Sequence, residues 1–188
     1  MELIEAPALG QRLGFERMMD EQGEEVLVVT IEVDPGGGVT PHVHPAMEER
    51  FTAVSGTPQL LAGRKWKTLA TGETMVVPPG TRHAFRNRSG DVAHLRAEAR
   101  PPSTLQPFLE DTAALDRAGK ITPHGLPKGL DALAGGAVLA LDYRGMVELG
   151  FPPLPPAAIQ RLLFPPLARL GRRRGYRAGH FAEALDEA

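Results

Sequence analysis

Between about Gly14 and Arg100 glycine and proline break the chain repeatedly, and no apolar repeat of helical period survives between the breaks. Segments so punctuated and without that period read as short strands. The predicted strands lie near 13–18, 25–34, 40–44, 49–55, 58–63, 66–69, 73–77, 83–88 and 92–99. Two of them alternate cleanly. Ala93, Leu95, Ala97 and Ala99 oppose His94, Arg96, Glu98 and Arg100, while His83, Phe85 and Asn87 oppose Arg82, Ala84, Arg86 and Arg88. Many short strands at this spacing point to an all-β sandwich or barrel, with a histidine and an asparagine on the inward face of one strand.

The pattern changes after Pro101-Pro102. Ser103 followed by Gln106 reads as a capping box, and Leu105, Phe108, Leu109, Thr112 and Ala113 have helical spacing. Further helices are expected at about 128–142 and 156–171, the second kinked or split at Pro165-Pro166. Ile159, Leu162, Leu163, Leu167 and Leu170 share one face of it, suited to packing on the barrel or on a second subunit. The expected division is thus a β-barrel over 1–100 and a helical extension over 101–188.

Composition removes several function classes. Cysteine is absent, so disulfides, thiolate metal sites and a cysteine nucleophile are excluded, and only histidine and carboxylate side chains remain to hold a metal. Serine occurs only at 55, 89 and 103, and no Gly-x-Ser-x-Gly, Walker loop, Gly-x-Gly-x-x-Gly or His-Glu-x-x-His is present. A formal net charge of −2 recommends no polyanionic partner, so nucleic acid is not expected. The N-terminal residues lack a basic segment followed by a long apolar run, and no apolar stretch reaches membrane-spanning length. The chain reads as cytoplasmic, with no membrane partner.

His42 and His44 lie two apart on a predicted strand, which aims both imidazoles to one face, as two ligands of one ion require. Two glutamates follow. An inward Glu49 carries Phe51 and Ala53 inward with it and leaves Arg50 and Thr52 in water, whereas an inward Glu48 would bury Arg50. Burying an unpaired guanidinium costs several kcal/mol, so Glu49 is preferred, with Pro45-Ala46-Met47 as the turn that resets the register. His83 arrives on the inward face of a later strand, behind the turn former Pro78-Pro79-Gly80.

These residues resemble the two motifs of the cupin family. The first reads Gly36, His42, His44, Glu49, Gly56, and the second Gly72, Pro78, Gly80, His83, Asn87, with every motif position filled. The resemblance spans roughly 14–100 and implies a mainly β fold, a double-stranded β-helix or jelly-roll barrel, here followed by the α-helical extension. It also implies one divalent metal per chain, iron, manganese, nickel, copper or zinc, held by His42, His44, Glu49 and His83. Three imidazoles and a carboxylate leave coordination positions open to substrate, water or dioxygen.

Phe51, Met75 and Phe85 are expected to line the space beside that metal, a wall with few hydrogen-bonding groups that suits an apolar or aromatic small molecule. The leading expectation is a metal-dependent oxygenase in which Glu49 ligates the metal and accepts a substrate proton. Two alternatives stand beside it: a non-catalytic ligand-binding or interaction protein, and a redox-neutral isomerase or lyase. A homodimer is expected. His94, sharing a face with Arg96 and Glu98, reads as a surface histidine, and His124 and His180 receive no role. Asn87 reads as closing a turn or strand contact. Arg169, Arg172, Arg173, Arg174 and Arg177 read as a solvated helix end balanced by Glu183, Asp186 and Glu187.

Overall fold

Side-chain alternation decides how the strands stack, and the computed structural model, which describes residues 2–148 and 157–186, contains nine of them. They are β1 Ile4–Ala6, β2 Gln11–Met19, β3 Glu25–Val33, β4 Glu48–Ser55, β5 Gln59–Ala62, β6 Lys65–Thr68, β7 Thr74–Val77, β8 His83–Arg86 and β9 Ala93–Arg100. One antiparallel sheet runs β1-β2-β3-β9-β4-β7 and the other β6-β5-β8. In β9, Ala93, Leu95, Ala97 and Ala99 are all buried while the residues between them are half-buried, the period-two pattern of a sheet with one dry face. Their neighbours on that face are Leu27, Val29, Ile31 and Val33 of β3 and Phe51 and Ala53 of β4, which together form the centre of the barrel core.

Two strand expectations need correction. The segment 40–44 is not a continuous strand: His42 pairs with His83 and Val43 with Glu148, each as an isolated bridge. Pro41 lies within it and Pro45 follows it, and a residue without an N–H cannot extend a ladder. Conversely, the barrel begins earlier than expected, because Ile4–Ala6 pairs antiparallel with the start of β2, Ile4 opposite Leu13. Three residues before Pro7 are too few to show a period.

Gly56, at the end of the first motif, has φ +74°, and a Cβ there would lie 2.9 Å from the Ala93 Cα. Both the conformation and the close approach of β9 require glycine.

The extension consists of α1 Leu105–Arg117, α2 Gly129–Asp142, α3 Ala157–Arg173 and α4 Phe181–Asp186. The capping box does not form: Thr104 is the N-cap, without a side-chain capping bond, Ser103 sits outside the helix at φ 46°, and the Gln106 amide donates to Glu110 at 2.9 Å. α3 runs unsplit through Pro165 and Pro166. The missing N–H groups deprive the Arg161 and Leu162 carbonyls of helical donors, and both residues are exposed, so water can serve them. The expected first residue of this helix, Pro156, lies outside the described residues.

α3 packs on α2 rather than on the barrel, through Ala168 and Gly171, and leaves Ile159, Leu162 and Leu163 exposed. α1 packs on β1. Two buried carboxylates tie the extension together. Asp116 accepts the backbone N–H groups of Ala8 and Leu9 at 2.8 and 3.0 Å, and Asp111 accepts the Tyr143 hydroxyl at 2.6 Å and the N–H groups of Gly179 and Phe181 at 2.7 and 3.0 Å. Backbone N–H groups and a hydroxyl supply the solvation that burial removes from these carboxylates.

Candidate metal centre

The parity of β4 sends Glu49, Phe51 and Ala53 inward, while Arg50 stays exposed beside Glu48, Nε to Oε1 3.2 Å. His83 opens β8 immediately after the Pro78–Gly80 turn, whose Gly80 N–H donates to the His44 carbonyl at 2.8 Å. Across from it the bridge residue His42 exchanges two main-chain hydrogen bonds with His83, 3.0 and 2.9 Å. These constraints gather His42, His44, Glu49 and His83 into one cluster, with one ligand atom from each lying within 4.8 Å of the others. His44, Glu49 and His83 are buried and His42 is half-buried. The imidazole centroids are 4.3 to 5.3 Å apart.

Each imidazole has its Nδ1 against a main-chain carbonyl: His42 on Thr40 at 2.9 Å, His44 on Met146 at 2.7 Å, and His83 on Thr81 at 2.8 Å. A carbonyl only accepts, so each Nδ1 carries the proton and each neutral ring presents its Nε2 lone pair. The His83 Nε2 lies 2.6 Å from the Glu49 Oε2, yet the two are not aligned as a hydrogen bond and both are buried without such a partner. Two orphaned polar atoms turned toward one point suit a cation held jointly by both, and three imidazoles with one carboxylate match the chemistry of a divalent transition ion. The cluster therefore fits a metal.

The electrostatics favour the ligating forms of His42, His44 and Glu49. Burial, then the neighbouring His83 and His44, pushes the His42 pKa down to about 3, so that ring stays neutral in ordinary conditions. Burial also lowers His44, against the opposing pull of Glu49. For His83 burial again acts downward, but the Glu49 carboxylate outweighs it and the net shift is upward. Glu49, which burial would raise, is held below its ordinary value by His83, His44 and His42.

The three residues expected beside the metal lie on the barrel core. Phe51 is buried with its ring 6.1 Å from His83 and 6.2 Å from Phe85, also buried. Met75 is half-buried, stands opposite Phe51 in the β4–β7 pairing and packs against the core cluster that contains both rings. Asn87 is buried and closes a turn, donating to the carbonyls of Val33 and Asp91 and accepting from Ser89. His94 bonds Ser55 at 2.8 Å on the outer face, and His124 and His180 are exposed. In the arginine run, Arg172 pairs with Asp142 and Arg174 with Asp131, not with the acidic residues expected; Glu187 and the side chain of Asp186 lie outside what is described.

Missing from the sequence reading are the carbonyls that orient the rings. Those of Thr40 and Thr81 stand two residues before their histidines and were open to inference, but nothing local connects Met146 to His44 across 102 positions.

Residues 29–96 match the family model described as Cupin domain. The barrel is a cupin domain. Among solved structures this cupin is similar to KdgF from Halomonas sp., with 18% identity over 56% of this chain and 91% of that one and a TM-score of 0.47. It is also similar to the cupin domain of Cnp3 from Schizosaccharomyces pombe, at 12% identity over 53% and 67% with a TM-score of 0.43. Oxalate decarboxylase from Bacillus subtilis gives 18% over 53% and 27%, TM-score 0.44. No curated protein sequence matches the chain. Among the described residues of this cupin, no helix is long and apolar enough to cross a membrane.

Proposed function

We propose that this chain is a cytoplasmic, metal-dependent cupin oxygenase acting on a small apolar or aromatic molecule. The observation that carries the reading is the convergence of three Nε2 lone pairs and the Glu49 carboxylate on one point, with every Nδ1 already engaged. His42, His44, Glu49 and His83 would hold one divalent ion. Such an ion, when bound, supplies Lewis acidity and open positions for substrate or dioxygen. Glu49 would take a substrate proton, since its Oε2 has no hydrogen-bond donor. Phe51, with Phe85 behind it, presents an aromatic surface next to the histidines and no hydrogen-bonding group, which favours an apolar ligand over a sugar.

The test is elemental analysis of protein purified without chelator or affinity-tag metal, followed by oxygen uptake with catechol, enol and flavonol substrates. Near one redox-active ion per chain with substrate-dependent oxygen consumption supports the proposal. Zinc with oxygen-independent turnover would replace it by redox-neutral isomerase or lyase chemistry, and a tightly held small molecule without turnover would replace it by a binding role.

We further propose a homodimer, supported by the exposed Ile159, Leu162 and Leu163 along α3, because apolar side chains grouped on one helix gain by being covered. Light scattering should give twice 20.2 kDa, and a monomer at 20.2 kDa overturns it. Neither nucleic acid nor a membrane takes part in this reading.

A further inference from the structure

The three histidines are not oriented alike. His42 and His83 each donate Nδ1–H to the carbonyl two residues earlier in the chain, Thr40 and Thr81. The equivalent carbonyl for His44 is that of His42, and it is occupied by the His83 N–H at 2.9 Å. His44 takes its acceptor from elsewhere instead, and the helical extension provides it: the Met146 carbonyl at 2.7 Å. Val43, which separates the two histidines, is bonded on both sides to the same stretch, its N–H donating to Glu148 at 3.1 Å and its carbonyl accepting from Glu148 at 2.8 Å. Met146 and Val147 are buried, and the stretch is moored at its other end by the Tyr143 hydroxyl on Asp111.

We infer that the segment Tyr143–Glu148 is part of the metal centre, with the Met146 carbonyl as the positioning group for His44, so that metal binding and docking of the helical extension are coupled. This rests on the metal-binding reading above. A group that orients a metal-ligating histidine typically contributes 10- to 100-fold to affinity. Coupling is reciprocal, so an ion that gains affinity from the docked segment tightens that segment by the same factor.

Glu148→Pro tests this directly. The Glu148 side chain is exposed, so the change removes little packing, but proline has no N–H to give to Val43 and constrains Val147 before it. Cobalt(II) is the probe, with affinity from equilibrium dialysis, the visible spectrum for ligand geometry, and amide exchange at 146–148 with and without the ion. Expected are one cobalt per wild-type chain, about tenfold weaker binding with an altered spectrum in Glu148→Pro, and about tenfold slower exchange at Glu148 when cobalt is bound. Arg12→Ala, which breaks pairs with Glu32 and Asp34 on the outside of the barrel, should lower Tm without changing the affinity, separating positioning from general loosening.

A wild-type chain that takes up no cobalt overturns the metal reading and this inference together. A wild-type chain that binds it, with a folded Glu148→Pro matching its affinity and spectrum, overturns this inference alone. Should Glu148→Pro fail to fold, wild-type exchange decides: no slowing at Glu148 on cobalt binding overturns the coupling.

Discussion

His42 and His83 are paired residues of a single antiparallel bridge, each donating its N–H to the other's carbonyl, 3.0 and 2.9 Å. Residues paired in this way send their side chains to the same face, and here the ring centroids stand 4.3 Å apart. The two halves of the cluster are thus joined through the main chain of the ligands themselves. Replacing either side chain should remove the ion without dissolving the bridge. His42→Ala and His83→Ala are expected to fall from near one metal per chain to background in elemental analysis while retaining the wild-type far-UV circular dichroism. Retention of the ion in both would remove them from the ligand set.

Metal-free protein should lose stability in mild acid because of His42. Its folded pKa of about 3 lies below the ordinary 6.5 of an unfolded chain. Between those values the unfolded state binds the proton and the folded state does not, so stability is complete above 6.5 and falls as the pH drops toward 3. The slope from this group alone is at most about 1.4 kcal/mol per pH unit. His44, also lowered, acts in the same direction. Urea unfolding of metal-free protein at several pH values should show a shallower dependence between pH 6 and 4 in His42→Gln than in wild type; equal slopes would refute the assignment.

Asn87 uses both amide hydrogens and its carbonyl in burial, and its main chain also exchanges hydrogen bonds with Gly36 and Gly37 of the first motif. Asn87→Ala leaves the Val33 carbonyl without its donor and should cost about 2–3 kcal/mol. Chemical denaturation measures it, and a loss under about 0.5 kcal/mol, the range of an ordinary surface change, would contradict the network.

α2 and α3 meet at Gly171, where a Cβ would stand 2.6 Å from the Ala134 carbonyl oxygen and 2.9 Å from the Val138 Cγ2. Gly171→Ala must force the helices apart, although alanine is the better helix former, and a penalty of about 1–3 kcal/mol is expected from such overpacking. A rise in Tm would show that the contact yields freely.

Much of the barrel was legible because its information is local. Period-two alternation placed Ala93, Leu95, Ala97 and Ala99 on the dry face, and the cost of burying Arg50 selected Glu49 over Glu48 as the inward carboxylate. Errors came where a neighbour overrides a local signal. The Ser103–Gln106 pair carries a capping pattern, yet the chain enters α1 at Thr104 with Ser103 turned outside it. The 40–44 segment carries strand spacing, yet Pro41 within it and Pro45 after it limit it to isolated bridges.

From the sequence by itself came the class of fold and the change to helices after Pro102, because alternation, spacing and breakers act within a few residues, while the resemblance to the cupin motifs implied the four residues that could share an ion. Only the tertiary structure decided that α3 lies on α2, that Asp111 and Asp116 moor the extension, and that the Met146 carbonyl orients His44. Those relations join groups far apart in the chain, from the 32 residues between Asp111 and Tyr143 to the 102 between His44 and Met146 and the 108 between Ala8 and Asp116. A backbone carbonyl is common to every residue, so its role arises solely from where the folded chain carries it.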